Sequence, residues 1–136
     1  MPTADLRRSL ADAGFTPGAR HVPAVIAVLG GDDEDDALAA EKALARMGVP
    51  GAEAALSAVA AATPPLRGRL VRVVGRVAAV EPGPLVDRLV ALLADDDLKA
   101  SRNAILALGK IRDARVEEAL LARWGDETRV PHRRSL

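Results

Sequence analysis

The chain has 136 residues, of which 49% are hydrophobic and only two are aromatic, and its basic and acidic side chains are equal in number. A chain of this length forms one domain or one part of a repeat array, and its richness in alanine, leucine and valine favours closely packed helices. Without cysteine it has no disulfides, thiolate metal sites or thiol nucleophiles. No apolar run approaches the ~18 residues of a membrane span, so we expect a cytoplasmic protein that does not enter the membrane.

The net charge of zero conceals an uneven distribution along the chain. Residues 1–66 carry five basic and nine acidic side chains, a balance of −4, whereas residues 67–136 carry fourteen and ten, a balance of +4. Part of the acidic excess is the run from Asp32 to Asp36, which suits either a solvated turn or a divalent-cation site. The run lacks the alternating ligands and the central glycine of a calcium loop, so we expect a turn, with no metal and no cofactor.

The helical spacing of apolar residues predicts nine helices and no strand. The first helix, within residues 1–19, is expected to cap the helices that follow in residues 20–136. Prolines stand where several of these helices begin or connect. In chain order we place the helices near residues 3–13, 21–29, 34–47, 51–62, 65–80, 84–94, 97–111, 114–124 and 129–136.

A glycine that follows an apolar helix recurs along the chain. Gly48, Gly75 and Gly109 are 27 and 34 residues apart, which is typical of helical-repeat proteins. Residues 85–111 show the unit most clearly, with an apolar helix, a turn of three aspartates and a second helix. The aspartates are expected to cap the second helix by accepting hydrogen bonds from its free N–H groups.

Residues 92–111 combine an acidic turn, an arginine early in the second helix and an alanine-rich face, and they end with Ala-Leu-Gly-Lys-Ile. This sequence resembles a short HEAT-like repeat, of the type also found in the phycobilisome-lyase group. The resemblance implies an all-α fold, a right-handed αα superhelix forming a solenoid of about four helical hairpins. It also implies that Asp97 and Arg102 form a ladder between neighbouring repeats.

The resemblance is looser in the other repeats. Residues 34–62 have Glu41 in place of the basic residue, and residues 64–94 lack the acidic turn. Residues 126–136 begin another second helix, but its Ala-Leu-Gly ending is missing. The last repeat is therefore expected to be incomplete, either because the chain is a fragment of a longer protein, which we favour, or because its final helix is short.

A row of basic side chains is the strongest candidate for a binding surface. No acidic residue occurs between Glu53 and Glu81, so we expect the arginines of the helix over residues 65–80 to have no local partner. Such a row would bind an acidic protein or a nucleic-acid backbone. The alternative is that the arginines solvate the helix and pair with acids of neighbouring repeats. The row consists of Arg69, Arg72, Arg76, Arg102 and Lys110.

No catalytic constellation is visible in the sequence. The two histidines lie near opposite ends of the chain, and no serine has a nucleophile elbow or a neighbouring base. We expect a scaffold or binding module rather than an enzyme, with a protein as the favoured partner and a nucleic acid as the second. The alternative is an N-terminal accessory module, with an RNA-binding role, of a longer enzyme such as an RNA-modifying methyltransferase.

Overall fold

The computed structural model describes residues 3–10, 16–111 and 114–127. These residues form eight α-helices and the short 3₁₀ helix Ala19–His21, and they contain no strand. The all-α prediction is thereby confirmed for the described ranges, whereas the predicted helix at 129–136 lies outside them. The helices are α1 (Thr3–Leu10), α2 (Val22–Leu29), α3 (Glu34–Arg46), α4 (Val49–Val59), α5 (Leu66–Ala78), α6 (Val86–Leu92), α7 (Leu98–Leu108) and α8 (Ala114–Glu127).

Aspartates begin the two helices that follow acidic runs. The side chain of Asp33 accepts a hydrogen bond from the backbone N–H of Asp36 at 3.0 Å, and the acids from Glu34 to Asp36 occupy the first turn of α3. Asp97 accepts from the backbone N–H of Lys99 at 3.0 Å, which confirms the predicted cap of α7. Both caps satisfy free N–H groups and place negative charge at the positive end of a helix.

The turn between α3 and α4 depends on glycine. Gly48 has a φ of +72°, and it is the only described residue in the left-handed region. A side chain is disfavoured in that conformation, so glycine is the residue that allows this reversal. Gly48 and Gly109 therefore follow helix ends, as their positions in the sequence predict, whereas Gly75 lies inside α5 and does not end it.

The helices pack as consecutive pairs around a single core. α2 packs on α3, α4 on α5 and α6 on α7, while α5 also contacts both α3 and α7 along its sides. Leucines from each part of this arrangement are fully buried, among them Leu29, Leu44, Leu70, Leu89 and Leu108. These contacts agree with the predicted hairpins. Their arrangement as a right-handed superhelix stays a prediction.

None of the helices in the described ranges is both long enough and apolar enough to cross a membrane.

Candidate binding face

Two adjoining grooves lie on the exposed side of α3, α5 and α7. The N-terminal groove, of about 410 Å³, is lined by residues near the starts of all three helices, including Arg69, Lys99 and Asn103. The C-terminal groove, of about 460 Å³, is lined by later residues, including Arg76 and Lys110. The three helices therefore run side by side in the same direction. We call this surface the α3/α5/α7 face.

A buried carboxylate stands beneath the C-terminal groove. The side chain of Glu41, on α3, is only 2% exposed and pairs with two arginines of α5. Arg72 donates from Nε to Oε1 at 2.9 Å, and Arg76 donates from Nε to Oε2 at 2.5 Å. A buried carboxylate is costly unless it is paired in this way. The two arginines remain 50% and 43% exposed, so their charge still reaches the groove.

The expectation that the arginines of α5 have no local acidic partner does not extend to acids from other repeats, and Arg72 and Arg76 have such a partner. It counted only nearby residues in the sequence, whereas packing of α3 on α5 brings Glu41 to them from 31 and 35 residues away. The alternative, pairing with an acid of the neighbouring repeat, is correct for these two residues. Glu41 stands where the repeat pattern has a basic residue, and this departure from the pattern supplies the partner of both arginines.

Arg69 has a different role from the rest of the row. Its guanidinium donates to the backbone carbonyl oxygens of Leu29, at 2.7 Å, and Gly31, at 2.9 Å. These carbonyls lie at and just beyond the end of α2, where backbone acceptors have no partner within the helix. Arg69 therefore joins α5 to the C-terminus of α2 through Nη1.

The predicted ladder between Asp97 and Arg102 is not formed. Arg102 is exposed on α7 and contacts no acidic side chain in the described part of the chain. Instead Arg67 of α5 binds Asp95 of the acidic turn at 2.6 Å, and this hydrogen bond raises the pKa of the Arg67 guanidinium. The acidic turn faces the start of α5, whereas Arg102 projects to solvent, so the neighbouring helix provides the arginine.

The interface between α5 and α7 is built from small residues. A Cβ on Gly75 would lie 3.1 Å from the Cβ of Ala107, so the two helices approach closely here. Nearer their starts, the Asn103 side-chain N–H donates to the backbone oxygen of Gly68 at 2.9 Å. This close approach places the basic residues of α7 beside those of α5 on the same face.

The structure adds Lys99 and Asn103 to the row that the sequence identified. Both line the N-terminal groove, and Asn103 also lines the C-terminal one. Their spacing from Lys110 along α7, at helical intervals, was the signal that could have indicated them. Of the predicted row, Arg69, Arg72, Arg76 and Lys110 line a groove, whereas Arg102 lines neither.

The basic side chains of the face can attract an anion. No group of three or more His, Cys, Asp or Glu residues in the described ranges is arranged to hold a metal ion. No family model matches the chain, nor does any curated protein or solved structure. Function must therefore be inferred from the charges and shape of the face itself.

Proposed function

We propose that the chain is a HEAT-like repeat module that binds an acidic segment of a partner protein on the α3/α5/α7 face. The observation that carries the proposal is the excess of exposed positive charge in the two grooves. Arg72 contributes to both grooves and Glu41, its main counter-charge, is buried beneath it. Complementary charge of this kind speeds encounter with an anionic partner and selects against a cationic one.

The architecture supports a repeat module. Each of three consecutive pairs contributes its second helix to one layer, and those second helices run in the same direction with α5 between α3 and α7. Repeat proteins of this design present such a layer as an extended binding surface. The right-handed superhelical twist of a HEAT-like solenoid is part of this proposal.

Nucleic acid is the second candidate partner, because phosphates attract the same cations. A nucleic-acid partner would suit the alternative in which the chain is an accessory module of an RNA-modifying enzyme. Among the described residues, however, no aromatic side chain lines either groove, and single-stranded nucleic acids are usually held by stacking on aromatic rings. The apolar residues Leu106 and Ala107 in the C-terminal groove favour a protein ligand instead.

The test compares three anionic polymers at two salt concentrations. Labelled polyglutamate, single-stranded RNA and duplex DNA are titrated with the protein at about 50 mM and about 300 mM salt, where screening differs strongly. The variant is Lys99→Gln/Lys110→Gln, because neither lysine forms an ion pair within the described residues. Replacing Arg72 or Arg76 would remove a counter-charge of Glu41, so a loss of binding could not be separated from a loss of stability. Arg20→Gln is the matched control, since Arg20 is exposed and lines neither groove.

We expect the wild-type protein to bind polyglutamate in a salt-sensitive manner and more tightly than either nucleic acid. The double variant should bind it several-fold more weakly, and Arg20→Gln should bind as the wild type does. Tighter binding of RNA or duplex DNA would favour the accessory-module alternative. Equal affinity of the wild type and the double variant would contradict a role for this face.

A further inference from the structure

The two grooves differ in how much charge they leave for a ligand. The C-terminal groove has three cations, Arg72, Arg76 and Lys110, and one carboxylate, that of the buried Glu41. The N-terminal groove has three cations but two carboxylates, and Arg69 among its cations is already bound to backbone carbonyls. The C-terminal groove is therefore the better site for an added negative charge.

The arginines of the C-terminal groove keep donors for a ligand. Glu41 receives Nε and Nη2 of Arg72 and Nε of Arg76. A guanidinium has five N–H donors, so Nη1 of Arg72 and both terminal nitrogens of Arg76 have no partner within the described part of the chain. Because Glu41 already holds both side chains in place, a ligand orders them at a smaller loss of conformational entropy.

The same groove has an apolar wall beside its cations. Leu106 is 56% exposed, and it lines the groove together with Ala79 and Ala107. A phosphodiester backbone has no apolar group to pack against this wall. A peptide with adjacent acidic and apolar side chains would contact both the cations and the apolar wall.

We infer that the C-terminal groove binds a carboxylate adjacent to an apolar side chain in the acidic segment of the partner protein. The outer donors of Arg72 and Arg76, together with Lys110, receive the carboxylate through charge-assisted hydrogen bonds. Leu106 and the neighbouring alanines receive the apolar side chain. This inference rests on the proposed function and narrows it to one groove and one ligand chemistry.

The experiment uses three labelled peptides of equal length. One alternates leucine and glutamate, the second replaces leucine with serine, and the third replaces glutamate with glutamine. Each groove offers an exposed lysine and an exposed leucine, so the variants can be matched. Lys110→Gln and Leu106→Ser change the C-terminal groove, while Lys99→Gln and Leu38→Ser change the N-terminal groove. Dissociation constants are measured by fluorescence anisotropy, with circular dichroism of every variant as the check on folding.

We expect the leucine–glutamate peptide to bind about tenfold more tightly than either of the others, the factor for one lost contact of about 1.4 kcal/mol. Lys110→Gln and Leu106→Ser should each lose most of that advantage. Lys99→Gln lowers the affinity for every acidic peptide alike, so the two N-terminal variants should keep the ratios between the peptides. If the serine–glutamate peptide binds equally well, or if the N-terminal variants lose as much, the inference is wrong while the proposed function stands. If no acidic peptide binds the wild-type protein, the proposed function fails as well.

Discussion

Helix α5 meets its two neighbours in the layer through different chemistry. Toward α3 it presents arginines, and Arg72 and Arg76 surround the buried carboxylate of Glu41. Toward α7 it presents Gly75, which packs against Ala107 with almost no space between them. One interface is held by charge at half-exposed positions, and the other by close contact of small residues. Both lie on the same helix, within two turns of each other.

The difference shows what the positive row does for the fold. The arginines of α5 neutralise an acid that the core could not otherwise accommodate, so they are not simply surplus charge awaiting a ligand. The glycine–alanine contact determines how near the basic residues of α7 come to them. The ion pairs between α3 and α5 and the close contact between α5 and α7 together form the charged C-terminal groove. Each interface can be broken separately.

Removing the two arginines that surround Glu41 should have the largest effect. Arg72→Ala/Arg76→Ala leaves a buried carboxylate without a partner, and we expect the free energy of unfolding to fall by about 4 kcal/mol. Urea denaturation followed by circular dichroism measures this change. Adding Glu41→Met to the double variant should restore much of the loss, because the buried charge is gone. A double variant as stable as the wild type would mean that water reaches Glu41 freely.

Widening the other interface should have the next largest effect. Gly75→Val places two methyl groups where even a Cβ lies 3.1 Å from Ala107, and overpacking of this kind costs about 2 kcal/mol. Gly83 is the matched control, since a Cβ there meets nothing within 4 Å. Thermal unfolding of Gly75→Val and Gly83→Val would separate the two cases. Equal melting temperatures would show that α5 and α7 are not packed as closely as described.

The arginine that binds the acidic turn should matter more than the one that the repeat pattern indicated. Arg67→Ala removes a partly buried ion pair with Asp95 and should cost about 1 kcal/mol. Arg102→Ala, at an exposed position that contacts no acid among the described residues, should change stability by less than about 0.5 kcal/mol. The same denaturation measurement applies to both variants. A larger loss of stability for Arg102→Ala than for Arg67→Ala would support the ladder that the family resemblance implied.

The smallest effect is expected from an exposed ion pair outside the layer. Arg88 of α6 contacts Glu53 of α4 at 3.0 Å, but both side chains are nearly half exposed. Exposed pairs contribute only about 0–1 kcal/mol, so Arg88→Ala should alter the free energy of unfolding by a few tenths of a kcal/mol at most. High salt should abolish even that difference. A cost that persists in high salt would indicate that Arg88 contributes through packing.

Much of the helical framework is visible in the sequence because it depends on local rules. The apolar spacing predicts the helices, Asp97 caps α7 as its position before Leu98 suggests, and Gly48 ends a helix because only glycine suits its backbone. These features involve residues close together in the chain. The sequence also predicts most of the row that lines the grooves, because side chains at helical intervals share a face.

The partners of that row could not be predicted in the same way. Glu41 and Arg76 are 35 residues apart, and only the packing of α3 on α5 brings them together. Arg69 binds backbone carbonyls, which every residue possesses and which the sequence pattern therefore does not distinguish. Asp95 rather than Asp97 receives the interhelical arginine because the acidic turn places Asp95 Oδ2 beside the start of α5. Pairing between helices is set by tertiary geometry, not by spacing.

The central claim is that Arg72 and Arg76 serve the fold through Glu41 and a ligand through their outer donors. The most direct measurement is an NMR titration that follows the Nε–Hε signals of assigned arginines while the leucine–glutamate peptide is added. We predict that the signals of Arg72 and Arg76 shift and saturate with the peptide, while that of Arg88 stays in place. Shifts of equal size at all three arginines, or at Arg88 alone, would contradict the claim.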